Sequence, residues 1–319
     1  MKSRLITRNR SVVLAACALL AVASCSDDKS DATPTTSAAT AVTTASTAST
    51  VAGSPDTTAN TGVSATTNDC DSIIATFRAV ESANPDLADP SLVLSCDGDD
   101  VVVQTNSMPD YLYIEASPGD PEASDLTFRI PLVPVVAATP GEIPALGASA
   151  VAINGVAIYG PTEATGGDVL SLPSGALSAC GSHNGPTGFH MHLFLWAAGV
   201  DCLFDADVVE SNSAGQVGWS LDGYPIMSGF TCVDAACSSV RQLVSSWQLT
   251  DDSLFASDTW NAHSYVEGSG DLDQCNGRVD SDGQYRYYTT PTFPYFMGCY
   301  HGEVAADAGG GLGSMGGPP

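Results

Sequence analysis

Apolar and polar residues alternate with a period of two along much of this chain. The sharpest case is Phe189-His190-Met191-His192. Successive side chains of a strand point to opposite faces, so both imidazoles share one face while Phe189 and Met191 share the other. Residues 91–96 and 101–105 read as strands around the acidic turn Asp97-Gly98-Asp99-Asp100, and 111–115 alternates in the same way. Residues 126–136 form a further extended stretch interrupted by prolines. Asn154-Gly155 lies between apolar runs in 151–159, and Asp222-Gly223 does the same in 217–226. Such dipeptides supply the positive φ of a two-residue hairpin turn. One window, 238–249, predicts a helix. The expected fold is mainly β, a disulfide-stapled sandwich or barrel-like domain over 68–303 with long loops.

The pattern repeats in order. Asn154-Gly155-Val156-Ala157-Ile158 corresponds to Asp222-Gly223-Tyr224-Pro225-Ile226. Cys180, residues 188–192 and Cys202 then correspond to Cys275, residues 284–288 and Cys299. Three shared features in one order predict a duplicated β unit, at 150–205 and 217–302. In that alignment His190 and His192 match Arg286 and Tyr288. An arginine stays protonated and does not ligate a metal in the ordinary way, so one histidine site per chain is expected, in the first unit.

The N-terminus changes the picture from fold to location. Lys2, Arg4, Arg8 and Arg10 precede an apolar run from Val12 to Ala23, too short for a membrane span and suited to a signal peptide over 1–24. Val22-Ala23-Ser24-Cys25 resembles a bacterial lipoprotein cleavage box, which makes Cys25 the expected lipidation site and a lipid anchor the expected membrane contact. Residues 25–67 are rich in Thr, Ala and Ser and nearly free of large apolar side chains, the composition of a disordered stalk. Residues 304–319 are expected to form a disordered Gly/Pro-rich tail. The chain is thus expected to be exported and held on the outer side of the cell membrane.

Charge narrows the partners. The formal net charge is −26, and it falls to −30 without the four basic residues of the signal. No lysine follows Lys29. This argues against nucleic acid and leaves cations, small molecules or neutral glycans as ligands. Beyond Cys25 there are eight cysteines in an exported context, which predicts disulfides. Neighbour pairing is the simplest arrangement: Cys70–Cys96, Cys180–Cys202, Cys232–Cys237 and Cys275–Cys299. A thiolate zinc cluster is the rival, but the paired CxxC knuckles it uses are missing.

Candidate chemistry centres on the histidines. His190 and His192 offer two nitrogens, His183 or His263 a third, and Asp222 or Asp273 an oxygen. Neutral imidazole suits zinc, copper or iron. Asp280-Ser281-Asp282-Gly283 and Asp97-Gly98-Asp99-Asp100 look like fragments of calcium loops without the full ligand pattern. An envelope hydrolase or lyase acting on a glycan or ester is the alternative, with Asp222, Glu267, Asp271 and Asp273 as candidate carboxylates. No Gly-x-Ser-x-Gly elbow, phosphate-cradling loop or HExxH motif is present. Trp196, Trp219, Trp247 and Trp260 offer sugar-stacking surfaces or ordinary core residues. A non-catalytic interaction module displayed on the stalk is a third class.

Between about residue 91 and residue 302 the chain resembles the YHYH domain family of bacterial exported proteins. The residues that carry the likeness are 101–109, 153–158, Gly188-Phe189-His190-Met191-His192, 218–226 and 270–277. Phe293-Pro294-Tyr295 with Gly298-Cys299 is similarly specific. The likeness implies kinship and export and names no activity. The chain departs from the namesake motif: 189–192 keeps both histidines and neither tyrosine, and Tyr285-Arg286-Tyr287-Tyr288 keeps no histidine.

Overall fold

The computed structural model describes residues 68–309 apart from 115 and 117. The segments expected to be signal peptide and stalk, with Cys25, and most of the expected tail lie outside the described residues.

The strands run β1 Leu92–Asp97, β2 Asp100–Thr105, β3 Leu126–Pro131, β4 Val136–Gly141, β5 Ala148–Ala152, β6 Ala157–Tyr159, β7 Ser182–Gly185 and β8 Gly188–Met191. They continue as β9 Gln216–Ser220, β10 Pro225–Met227, β11 Phe230–Cys232, β12 Val240–Gln242, β13 Trp247–Leu249, β14 His263–Tyr265, β15 Gly277–Val279, β16 Tyr285–Tyr288 and β17 Tyr300–Gly302. β1, β2 and β3 make one antiparallel sheet. Eight strands make the principal sheet, in the order β15-β16-β10-β9-β5-β6-β8-β7, which is open at both ends. The inner residues of the two sheets, Val101, Val103, Phe128 and Ile130 on one side and Val151, Ile158, Phe189, Met191, Ile226 and Tyr287 on the other, belong to one apolar core. The arrangement is a mainly β, sandwich-like fold, with no closed barrel among the described residues.

The registers relate the two halves of the principal sheet by an approximate two-fold operation. At the centre Val151 pairs with Trp219, flanked by Ala150 with Ser220 and Ala152 with Gly218. Outward, Ile158 pairs in parallel with Met191, and Ile226 pairs in parallel with Tyr287. At the edges Ser182 opposes Met191, and Gly277 opposes Tyr287. Most pairs in one half have their counterparts in the other, in the same register as the sequence echo. Both hairpin turns need glycine, because Gly155 and Gly223 adopt φ of 85° and 88°. Space is also closed at both: a Cβ would stand 2.7 Å from Thr105 Oγ1 at Gly155 and 2.8 Å from Pro131 O at Gly223.

Four disulfides join Cys70–Cys96, Cys180–Cys202, Cys232–Cys237 and Cys275–Cys299, the neighbour pairing. The second and fourth occupy equivalent places, each starting two residues before an edge strand, β7 or β15.

Two local expectations fail. Residues 111–114 form no strand, because Asn84 takes their backbone: its Nδ2 donates to Tyr111 O and its Oδ1 accepts from Tyr113 N, both at 2.8 Å. The window 238–249 is not a helix. It supplies β12, paired with β11 beside the Cys232–Cys237 bridge, and β13, paired with β14. Long-range pairing overrides a modest local helix preference, and Val240 suits a strand better than a helix.

Candidate metal centre

The site is built on β7, β8 and the loop after β6. Alternation on β8 sends Phe189 and Met191 into the core and His190 to the opposite face, followed by His192 just past the strand end. His183 on β7 lies directly opposite His190 in the antiparallel register. Cross-strand neighbours have Cβ atoms about 5 Å apart, which brings long side chains into contact. The three rings converge through their Nε2 atoms: His183 to His190 is 3.1 Å and His190 to His192 is 3.0 Å. All three are buried.

The opposite edges of the rings decide the tautomers. His190 Nδ1 faces Gly188 O at 3.0 Å and His192 Nδ1 faces Gly160 O at 2.6 Å. A carbonyl only accepts, so each Nδ1 carries the proton and each Nε2 is a bare lone pair. The ring-to-ring contact at 3.0 Å is therefore not a hydrogen bond between neutral imidazoles. Backbone anchoring of the far nitrogen is the arrangement that orients histidines as metal ligands. His183 is held in turn by the backbone of Ala176. Tyr159 stacks on His190 at 3.9 Å between ring centroids, and its hydroxyl meets Thr187 Oγ1 at 2.7 Å.

Glu163 completes the group. Its Oε1 lies 3.4 Å from Nε2 of both His183 and His192. That oxygen is buried and has no hydrogen-bond partner. A tetrahedral ion with bonds of about 2.0–2.1 Å sets its ligand atoms about 3.3–3.4 Å apart; four of the contacts, at 3.0, 3.1, 3.4 and 3.4 Å, are near that spacing, and the three histidine nitrogens as a set lie within 4.8 Å of one another. Glu163 sits in a turn closed by Glu163 N to Gly167 O and Gly166 N to Glu163 O. Asp168 pins that turn: its carboxylate accepts from Leu170 N, Thr259 Oγ1 and the Tyr295 hydroxyl.

Burial governs the protonation states. It pushes His190 down to about 3, helped by His183 nearby, and drives His192 well below the ordinary histidine value. His183 is lowered for the same reason, and burial raises the carboxyl of Glu163. Three neutral imidazoles beside one carboxylate are a donor set that a divalent cation satisfies. The group His183, His190 and His192 can hold a metal ion by the closeness of its ligand atoms.

Other sequence candidates lie elsewhere. His263 is hydrogen-bonded through Nδ1 to Thr259 O at 2.8 Å and stacks on Phe293 at 4.1 Å. Asp222 is buried in the second half, where it accepts from Ser220 Oγ, the Tyr287 hydroxyl and Gly302 N. Asp273 accepts from the Tyr285 hydroxyl and two backbone N–H groups, and Asp271 is ion-paired with Arg241. The calcium-like loops are neutralised by arginine: Asp280 and Asp282 by Arg278 and Arg286, Asp97 and Asp100 by Arg129. Sequence reasoning missed Glu163. The available signal was its place just past β6, the strand that runs parallel to β8.

The two-fold relation places Arg278, Arg286 and Tyr288 where the first half has His183, His190 and His192. There the Tyr288 hydroxyl, Arg278 and Arg286 close on Asp280. One half presents converging lone pairs, and the other is sealed by charge pairs.

The family model described as YHYH protein matches residues 127–302. The chain belongs to the YHYH family. The matched region contains all four donors of the site and both halves of the principal sheet. Comparison with curated proteins and with solved structures returned no match.

Proposed function

We propose that this YHYH-family chain is an exported protein that binds one divalent transition metal, zinc, copper or iron, on His183, His190 and His192 with Glu163 alongside. One observation carries the reading: the bare Nε2 atoms of His190 and His192 stand 3.0 Å apart beside an unpartnered buried carboxylate oxygen. Facing lone pairs and an orphan carboxylate are costly in a buried site unless a cation lies between them. Four disulfides suit an exported protein. Tethering through Cys25 would display the site outside the membrane, and Cys25→Ser should move the chain to the soluble fraction.

The test is elemental analysis of the full chain purified without a histidine tag. One equivalent of metal is expected, lost in His190→Ala and in His192→Ala with the fold retained. Absence of any of the three metals, both as purified and after reloading, would refute the reading. A second reading, a metal-dependent hydrolase or lyase, is favoured by the opening of the site onto a cavity lined by His183, His190, His192 and Glu163. Metal-dependent turnover on an ester panel would establish it.

A further inference from the structure

The metal centre forms the floor of a cavity of about 860 Å³. Cavities of about 300–1,000 Å³ accommodate small organic ligands. Beyond the metal ligands the walls are largely apolar, set by Leu146, Leu172, Pro118, Pro173 and Pro186, with Glu122, Thr162 and Asn184 among the few polar side chains. No lysine or arginine lines it. A phosphorylated or multiply charged ligand would therefore find no counter-charge beyond the metal. A hydroxyl-rich sugar would leave many donors and acceptors facing apolar carbon, since Asn184 Oδ1 and the hydroxyls of Tyr159 and Thr187 already have partners and the remaining polar side chains are few.

The charge of the floor selects the head group. Three neutral imidazoles and one carboxylate leave a divalent ion with a net charge of +1, and one monoanionic oxygen donor neutralises it. A dianion over-compensates in a site of low polarity. Zinc expands to five ligands and copper and iron accept more than four, so a donor from the cavity can join the protein ligands.

We infer that the cavity binds a small monocarboxylic acid with an apolar aliphatic or aromatic body, its carboxylate on the metal and its body against Leu146, Leu172 and the proline walls. This rests on the metal reading above and adds the ligand class to it.

The experiment uses the full chain, stripped and reloaded with Co(II) as a spectroscopic stand-in. Metal content is measured first, by elemental analysis. Octanoate, benzoate, acetate, glucose and inorganic phosphate are then titrated, following the visible cobalt bands and the heat of binding. Octanoate or benzoate should perturb the cobalt bands and bind at least tenfold more tightly than acetate. Glucose and phosphate should leave the bands unchanged. Leu172→Ser should weaken octanoate at least fivefold with the metal stoichiometry unchanged. Leu146→Asp, at a residue that is 49% exposed and so tolerant of replacement, should do the same. If metal loads fully but acetate binds as tightly as octanoate, or neither variant alters octanoate binding, the ligand inference is overturned and the metal reading stands. If no metal loads, both fall together.

Discussion

Replacing Glu163 by glutamine should stabilise the protein when it is stripped of metal and shrink the stabilisation that metal adds. The substitution keeps the shape and removes the charge. Glu163 Oε1 is buried, has no hydrogen-bond partner and lies 3.4 Å from two imidazole nitrogens. An unsatisfied buried polar group costs about 1–3 kcal/mol, and more when charged. The amide can turn its NH₂ toward a bare Nε2 and form a hydrogen bond with a net value of about 0.5–1.5 kcal/mol. Metal-free Glu163→Gln should therefore be more stable than the parent by about 1–3 kcal/mol. At about 2–4 °C per kcal/mol for a domain of this size, Tm should rise by several degrees. With metal this advantage shrinks or disappears, because a charged ligand atom has become a neutral one. Disturbing the groups around a metal ligand typically lowers affinity about 10–100-fold, equivalent to about 1.4–2.7 kcal/mol. The assay is thermal unfolding by circular dichroism of chelator-stripped protein, with and without a fixed excess of zinc, beside calorimetric titration. Parent protein at 100 times Kd gains about 2.7 kcal/mol from the ion, and the variant should gain far less. A variant that melts below the parent when stripped, yet keeps the full metal-induced rise, would refute the reasoning.

Acidification should destabilise the stripped protein below about pH 6.5. The folded-state values of His183, His190 and His192 are lowered by burial, His190 to about 3. The unfolded chain then binds more protons, so stability is complete above the unfolded value of about 6.5 and is lost at up to about 1.4 kcal/mol per pH unit per histidine as pH falls. Glu163, raised by burial, opposes this with a single group; denaturant titration from pH 8 to pH 4 reads the balance, and a flat profile would count against buried neutral imidazoles. Arg286→Ala should leave metal stoichiometry unchanged, since Arg286 is committed to Asp280 and Asp282, and elemental analysis showing a lost ion would contradict the one-site assignment. Thiol labelling of the denatured, non-reduced domain should find none of the eight domain cysteines free, and two or more labelled residues per chain would break the disulfide assignment. Removing the Cys180–Cys202 bridge, which spans 22 residues around the histidine strands, should cost about 3 kcal/mol and weaken metal binding, measured by chemical unfolding and titration.

Much of this fold was readable from local chemistry. Period-two alternation places Phe189 and Met191 inward and His190 and His192 outward, because the pleat of a strand admits no other division. Asn154-Gly155 and Asp222-Gly223 mark both central hairpins, because each turn requires a backbone conformation that glycine adopts freely. The duplicated order of hairpin, cysteine and strand also survives into the pairing registers.

Contacts between distant segments decided the rest. Asn84 captured the backbone of 111–113 and prevented a strand there, and pairing with β11 and β14 drew 238–249 out of a helix. The choice of His183 over His263 as the third imidazole follows from the β7–β8 register. Glu163 reaches the site because β6 runs parallel to β8 and Asp168 holds the intervening turn against Thr259 and Tyr295. Alternation and turn chemistry constrain a few neighbouring residues at a time, so the chain alone determined strands, hairpins and the shared face of His190 and His192. Which fourth atom meets that face depends on strand order and on hydrogen bonds between segments roughly a hundred residues apart, and only the folded structure determines it.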